Sequence, residues 1–192
     1  ESPLEKDLIW TGSDDGLIHI TKDGGANWEN VTPKDMPKWI QINSIEIDPK
    51  RKGGLYVAGT MYKSGDYKPY LYHTSNYGKS WELIVNGIPD NHFTRVVRAD
   101  IKREGLLYAG TEFGMYVSFN DGKSWQPFQQ NLPIVPITDL ALKEDFLVVA
   151  TQGRSMWIID DLNPLYAMEE NMDAEHYLFA PKHTIMMPSG DW

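Results

Sequence analysis

One short turn motif constrains this chain more than any other feature. Thr21-Lys-Asp-Gly-Gly-Ala-Asn-Trp28, Thr74-Ser-Asn-Tyr-Gly-Lys-Ser-Trp81 and Ser118-Phe-Asn-Asp-Gly-Lys-Ser-Trp125 align without gaps. The shared pattern is Ser/Thr, any residue, Asp/Asn, any residue, Gly, any residue, Ser/Asn, Trp. The three tryptophans lie 53 and 44 residues apart, a period typical of stacked supersecondary units. Two more motifs keep register with this box. Trp10-Thr-Gly12, Tyr56-Val-Ala-Gly-Thr60 and Tyr108-Ala-Gly-Thr111 precede the three boxes, and Val148-Val-Ala-Thr151 is a fourth copy. Ile42–Ile47, Phe93–Arg98 and Ile137–Leu142 lead the later units.

Each unit reads as four short strands joined by turns. In the third, strand A covers about Phe93–Asp100 and strand B Leu106–Thr111, with turns at 102–105 and 112–114. Strand C covers Met115–Phe119, the box makes the next turn, and strand D covers Trp125–Phe128. Period-two alternation and β-branched or aromatic residues support these strands. Four antiparallel strands in each repeat of about 40–50 residues is the signature of a β-propeller blade. The one stretch with a helical period is Leu165–Asn171. Box residues have structural roles. Asp23, Asn76 and Asn120 accept bonds from their own turn, Gly25, Gly78 and Gly122 take positive φ, and Trp28, Trp81 and Trp125 pack into the blade core.

The expected fold is therefore all-β, about four four-stranded blades belonging to a larger propeller. The repeats fill residues 1–165: blade one about 7–33, blade two about 40–88, blade three about 92–132 and blade four about 136–162. Residues 166–192 form a C-terminal extension with one strand, about His176–Ala180 and reaching toward Met187. That strand fits three places: the fourth strand of blade four, a closing strand for blade one, or the start of another domain. Pro188–Trp192 reads as an edge or the start of a further domain. Blade one has no strand A. The fourth box has decayed, with Asp160-Asp161 standing where Asp23 or Asn120 stands and no glycine and tryptophan following. Open flanks of this kind invite association, so the expected partners include the remaining blades or a second copy forming an eight-blade ring.

Composition removes several functions. The 192 residues carry 18 Lys and Arg against 27 Asp and Glu, a formal net charge of −9. A nucleic-acid protein needs a positive face to displace phosphate counterions, and a polybasic membrane-surface protein needs the same. With no cysteine, disulfides, thiolate nucleophiles and cysteine-ligated metals are excluded. Hydrophobic residues at 41% are enough to build a core. No apolar run approaches the roughly 18–20 residues of a membrane span. The chain begins at Glu1 without methionine or a signal peptide, which reads as a trimmed amino terminus. No cofactor and no metal is called for: no acidic run matches a calcium loop, and no phosphate-cradling glycine motif or nucleophile elbow is present.

The boxes resemble the Asp-box, or bacterial neuraminidase repeat, of sialidases, sortilins and xyloglucan-degrading propellers. More narrowly, Leu107–Trp125 and Val148–Leu162 resemble large bacterial sortilin-like repeat proteins, often labelled glycosyl hydrolase-like. The resemblance covers about residues 7–165. It implies a many-bladed propeller and a secreted or envelope location. It is specific for fold and poor for function.

Antiparallel strands sort the turns onto two faces. The A–B turns and boxes share one. The B–C loops and D-to-A connections share the other, which surrounds the axis and is the default binding surface. Its loops supply Asp14, Asp15, the 62–69 loop, Glu112, Gln152 and Arg154, and its connections Lys38, Trp39, Asp90, Asn91 and His92. Ile42, Thr94, Arg95 and Asp139 are candidates to line the channel. The leading expectation is a binding or scaffold module that engages a peptide, protein or glycan through Arg154, Arg95, His92, Trp39 and Gln152. Arg154 is read as pairing with Glu112 or Asp139, or as binding an anion, and His92 as a neighbour of Arg95. Trp39, Tyr62, Tyr67 and Tyr70 are available for stacking. The alternative is part of a glycoside hydrolase-like enzyme whose site is shared with blades outside this chain. Hydrolysis needs two carboxylates about 5–9.5 Å apart; Glu112, Asp139 and Asp14 are the weak catalytic candidates. The sialidase resemblance would also need three arginines on one face. Of five, Arg51 and Arg103 sit in A–B turns, and Arg95 and Arg98 point to opposite sides of one strand. The set is incomplete.

Overall fold

Backbone hydrogen bonds sort the strands into four separate antiparallel sheets. The computed structural model describes residues 1–171 and 176–180. The first sheet holds β1 (Ile9–Gly12), β2 (Ile18–Thr21) and β3 (Glu29–Asn30). The second holds β4 (Gln41–Ile47), β5 (Leu55–Met61), β6 (Asp66–Thr74) and β7 (Glu82–Leu83). The third holds β8 (Thr94–Ala99), β9 (Leu107–Thr111), β10 (Gly114–Ser118) and β11 (Gln126–Pro127). The fourth holds β12 (Ile137–Lys143), β13 (Phe146–Thr151) and β14 (Met156–Ile159). A helix, α1 (Asn163–Asn171), follows. Each sheet is a simple meander, and consecutive sheets pack face to face. This is a β-propeller architecture, nearly all-β. The strand expected at His176–Ala180 does not form. Its continuation to Met187 and the Pro188–Trp192 segment lie outside the described residues.

The apolar core lies between sheets. One cluster joins Trp10, Ile18 and Ile20 of the first sheet to Leu55, Val57 and Tyr72 of the second. Another joins Tyr56, Ala58 and Leu71 to Val97, Leu107, Ala109 and Tyr116 of the third. The last joins Tyr108, Met115 and Val117 to Leu140, Leu147 and Val149 of the fourth, with Leu162 just before α1 and Leu165 within it. Strands such as β5 and β9 therefore bury both faces, which is why they are apolar at successive positions.

The box geometry explains its pattern and corrects one role. The Asp/Asn oxygen accepts from the backbone four residues on: Asn27 to Asp23 at 2.9 Å, Ser80 to Asn76 at 3.0 Å and Ser124 to Asn120 at 2.9 Å. The opening hydroxyl accepts from the box glycine, at 3.0 Å for Gly25, 3.1 Å for Gly78 and 2.9 Å for Gly122. The buried tryptophan lies across the seam to the preceding blade rather than within its own blade alone. Trp81 Nε1 donates to the Val31 carbonyl and Trp125 Nε1 to the Ile84 carbonyl, each at 2.7 Å and each in the preceding unit. The box glycines face the same residues. A Cβ on Gly78 would come within 2.6 Å of Val31, and one on Gly122 within 2.5 Å of Ile84. Trp28 has no such neighbour among the described residues and is 45% exposed. The fourth box position, which tolerates Gly24, Tyr77 or Asp121, is left-handed in all three. Its N–H closes onto the backbone just before strand B of its own blade, at Asp7, Gly53 or Gly105.

Polar groups complete the seam between the second and third sheets on the box side. Arg51 pairs with Asp48 at 2.6 Å and with Asp121, while the Tyr56 hydroxyl donates to Asp121 at 2.9 Å. The His73 ring stacks on Tyr56, with centroids 4.5 Å apart. Its pKa is pushed down by burial and by Arg51, against the pull of Asp121, Asp48 and Glu82. At the next seam, α1 takes the place of a box. The Tyr166 hydroxyl donates to Asp100 at 3.2 Å, and Arg103 Nη1 donates to the Leu165 carbonyl at 2.6 Å.

Two predictions follow from the seams. Gly25→Ala and Gly122→Ala both place a side chain at positive φ, costing about 1–2 kcal/mol. Only Gly122→Ala also overpacks a neighbouring blade, adding about 1–3 kcal/mol. Urea unfolding at concentrations where the chain is monomeric should separate the two; equal losses would remove the seam role of the glycine. The second concerns acid. The folded pKa of His73 lies below its ordinary value of 6.5, so below that pH the unfolded chain takes up the proton first and stability falls. His73→Phe keeps the stack on Tyr56 and removes the titration. Its melting temperature should fall less between pH 7 and pH 5.5 than that of the parent chain, and parallel curves would exclude His73 as the source.

Candidate binding face

The B–C loops are tied by backbone bonds to the first strands of the blades or to the connections that lead into them. Ile42 N–H donates to Ser13 at 3.2 Å, Glu112 to Phe93 at 3.1 Å and Gln152 to Pro136 at 2.9 Å. These bonds hold loops from successive blades on one face.

Arg95, at the start of β8, is the centre of that face. Its Nε and Nη2 both reach Glu112 Oε2, at 2.8 and 2.6 Å. Its guanidinium lies 5.2 Å from the Phe93 ring centroid and 5.7 Å from that of Tyr62. Tyr62 stacks on Phe93 with centroids 5.0 Å apart, and Tyr67 packs against Phe93 at 6.2 Å. Tyr62 and Tyr67 come from the second blade, while Phe93 and Arg95 belong to the third, so the cluster straddles a seam. Beside it, His92 Nδ1 is 2.7 Å from the Tyr116 hydroxyl, and its ring tilts against Phe113 at 4.8 Å. Burial pushes the His92 pKa down, so the neutral imidazole is favoured.

Trp39 stands apart on the first connection. It is 74% exposed and left-handed, with φ at 65°, an uncommon state for a bulky residue that costs about 1–3 kcal/mol. It borders a groove of about 410 Å³ lined by Leu17, Pro33, Met36 and Pro37 together with Lys34 and Lys38.

Several expectations need correction. Arg154 is exposed, and neither carboxylate suggested as its partner reaches it: Glu112 is held by Arg95 and Asp139 by Arg98 at 2.7 Å. Its carbonyl accepts from Trp157 Nε1 at 2.8 Å. His92 packs against Phe113 and Tyr116 rather than pairing with Arg95. Thr94 is fully buried and does not line the channel; its hydroxyl joins the Gly59 and Tyr70 carbonyls at 3.2 and 2.9 Å. Tyr70 is core, with its hydroxyl on Asp66 at 2.7 Å. Asp14 sits in an exposed turn and Gln152 is exposed.

The sequence reading named Asp139 but not the charged group it joins on the inner strands. Arg98 Nε donates to the Leu140 carbonyl at 2.8 Å, and its Nη1 donates to Ser44 Oγ at 2.7 Å. With Asp139 it joins three blades. Glu46 lies 3.8 Å from Arg98 and accepts from Ala99 N–H at 3.2 Å. Burial pushes its pKa up, partly offset by Arg98. The signal for this cluster was alternation: Glu46 and Arg98 occupy the same place in their A strands. No group of three or more metal-ligating side chains is found among the described residues.

No protein-family model matches the chain. It is 31% identical over 85 residues to an oligoxyloglucan-reducing end-specific xyloglucanase from Emericella nidulans, and equally to a probable enzyme of that name from Neosartorya fischeri. Each match covers 43% of this chain and 10% of the relative, so the chain spans about a tenth of the curated relatives it matches. Among solved structures, YCF48 bound to D1 peptide superposes with a TM-score of 0.62 at 21% identity, covering 83% of this chain and 50% of that one. The GH74 xyloglucanase from Xanthomonas campestris superposes with a TM-score of 0.63 at 17% identity, covering 81% and 26%. These neighbours share the propeller fold with this chain. No helix among the described residues is long and apolar enough to cross a membrane.

Proposed function

We propose that this chain is the binding part of a propeller protein and engages a peptide, protein or glycan on its axial face. The observation that carries the reading is the Tyr62–Phe93–Arg95–Glu112 cluster. Two rings and a loop carboxylate hold a guanidinium at fixed geometry at the start of β8, with Arg95 still 22% exposed at its side chain. Preorganised aromatic and arginine groups are the usual anchors of recognition. Trp39, His92, Gln152 and Arg154 would extend the contact. Blades one to four would occupy the repeat boundaries given above. The Asp-box and sortilin-like kinship, a bacterial source and a secreted or envelope location belong to the same reading.

A second reading has one specific support, the 31% identity to xyloglucanases over 85 residues. In it the chain is part of a glycoside hydrolase-like enzyme, with Glu112, Asp139 or Asp14 as acid or base and the site completed by blades outside this chain. The carboxylate environment weighs against it. Glu112 is held twice by Arg95, and Asp139 accepts from Arg98 and from the Leu140 N–H, so both carboxylates are already engaged by partners within the chain.

Binding of the chain to arrayed xyloglucan oligosaccharides and to an arrayed peptide library tests the proposal. Arg95→Leu and Tyr62→Ala should each weaken the strongest ligand by about tenfold or more, with Trp39→Ala and Arg154→Ala losing less. Retained affinity in both cluster variants would overturn the assignment. Turnover of xyloglucan that disappears in Glu112→Gln, Asp139→Asn or Asp14→Asn would establish the enzymatic reading instead.

A further inference from the structure

The seam between the second and third sheets holds a pair of residues with a chemistry of its own. Asn86-Gly87 is the only Asn–Gly step in the chain. It lies just past β7, two residues beyond the carbonyl that Trp125 Nε1 uses. The first seam has Pro33 at the matching place. Glycine matters to a preceding asparagine because it has no Cβ to shield its nitrogen. That nitrogen can attack the asparagine amide carbon and close a five-membered imide.

Asn86 and Gly87 are both exposed. Among the described residues the Gly87 N–H has no hydrogen-bond partner. The fold nevertheless holds the pair in an unreactive pose. Ile88 N–H donates to the Val85 carbonyl at 3.0 Å, and of the two central residues only Gly87 has a positive φ, 98°. That is the pattern of a type II turn, which extends Asn86 and carries the Gly87 nitrogen away from its side chain. Asn86 Nδ2 donates to the Lys123 carbonyl at 3.1 Å, and Trp125 N–H donates to the Asn86 carbonyl at 2.8 Å. Both partners belong to the box of the third blade. Gly87 is pressed against the same box, where a Cβ would come within 2.1 Å of the Trp125 carbonyl. The pair can rotate into the reacting geometry only when that box moves off.

We propose that Asn86 is a self-modification site and that the second seam gates it. When the seam opens, the Gly87 nitrogen gives its proton to water and bonds to Asn86 Cγ. The Cγ–Nδ2 bond breaks and ammonia leaves. Water then opens one of the two imide C–N bonds, giving aspartate or isoaspartate. Neither product restores the seam. Aspartate has no N–H for the Lys123 carbonyl and sets a negative charge beside it. Isoaspartate also lengthens the main chain by one carbon and turns the carbonyl under Trp125 N–H into a carboxylate on a side branch. The close fit at Gly87 leaves no room for that change. The reaction is one-way, so each opening that is captured leaves a weaker seam.

Ageing the full 192-residue chain in mildly alkaline buffer tests this. Peptide mapping by mass spectrometry reads the amide-to-acid conversion, and labelling by an isoaspartyl methyltransferase counts the isomerised product. Asn86 should convert ahead of every other asparagine, and about tenfold or more slowly in the folded chain than in urea. Trp125→Phe removes a bond of this seam and should speed the folded-state conversion severalfold. Trp81→Phe removes the same bond from the first seam and should leave the rate unchanged. Arg51→Gln, which breaks the Asp121 pair of the second seam, replaces Trp125→Phe if circular dichroism shows that variant unfolded. The aged parent chain should melt below the fresh one, whereas aged and fresh Asn86→Gln should melt together. Equal rates in the folded and the urea-unfolded chain overturn the gate, as does equal acceleration by the two tryptophan variants. An Asn86 that stays intact while other asparagines convert overturns the site, and so does a chain converted at Asn86 that melts like the fresh one.

Discussion

The hydrogen bond from a box tryptophan to the carbonyl just past the last strand of the preceding blade organises this molecule. It is made twice, by Trp81 and Trp125, at the same length. Each ring lies across a junction and couples two sheets that share no ladder hydrogen bonds. Four short sheets, two of them with only three strands, cannot bury much surface alone. Stability is therefore a sum over neighbours, as in other repeat architectures. The box glycine serves the same contact, since only a residue without Cβ lets the turn approach Val31 or Ile84.

Most of the architecture could be read from residue order because turn chemistry is local. A hydroxyl, an Asp or Asn, and a glycine at fixed spacing describe one closed turn, and the alternation around them describes strands. The direction in which the tryptophan packs was not readable, because it depends on a neighbour many residues away. The left-handed state shared by Gly24, Tyr77 and Asp121 was hidden for a different reason. The three side chains have nothing in common, and the conformation is imposed by a backbone bond to the segment just before strand B. The expected strand at His176–Ala180 rested on composition alone, with no turn to frame it. α1 was visible as a weak period, but its role of standing in for a box at the seam was not.

The candidate site divides the same way. Loop position pointed to Glu112, His92 and Trp39, and place on an A strand to Arg95, as candidates for the axial face. Partners were misjudged where two charges compete for one carboxylate. Arg154 lost Glu112 to Arg95, which is rigidly placed at a strand start, and lost Asp139 to Arg98, whose guanidinium is pinned by the Leu140 carbonyl and Ser44. A long side chain on an exposed loop pays more conformational entropy to make the same pair.

The face and the seams are one system. Tyr62 belongs to the second blade and the Phe93 it stacks on to the third, so the aromatic cluster exists only while those blades are in register. Thr94 sits directly beneath, bonding carbonyls of both strands that flank the loop of the second blade. Arg98 repeats the device on the inner strands, reaching Ser44 behind it and Asp139 ahead. A ligand that bridges Tyr62 and Arg95 would therefore stabilise the junction that creates its own site, by mass action on the assembled state. Any change that shifts the second seam, even on the box side, alters the spacing of the Tyr62 and Phe93 rings. Binding strength and blade packing in this fold are expected to vary together.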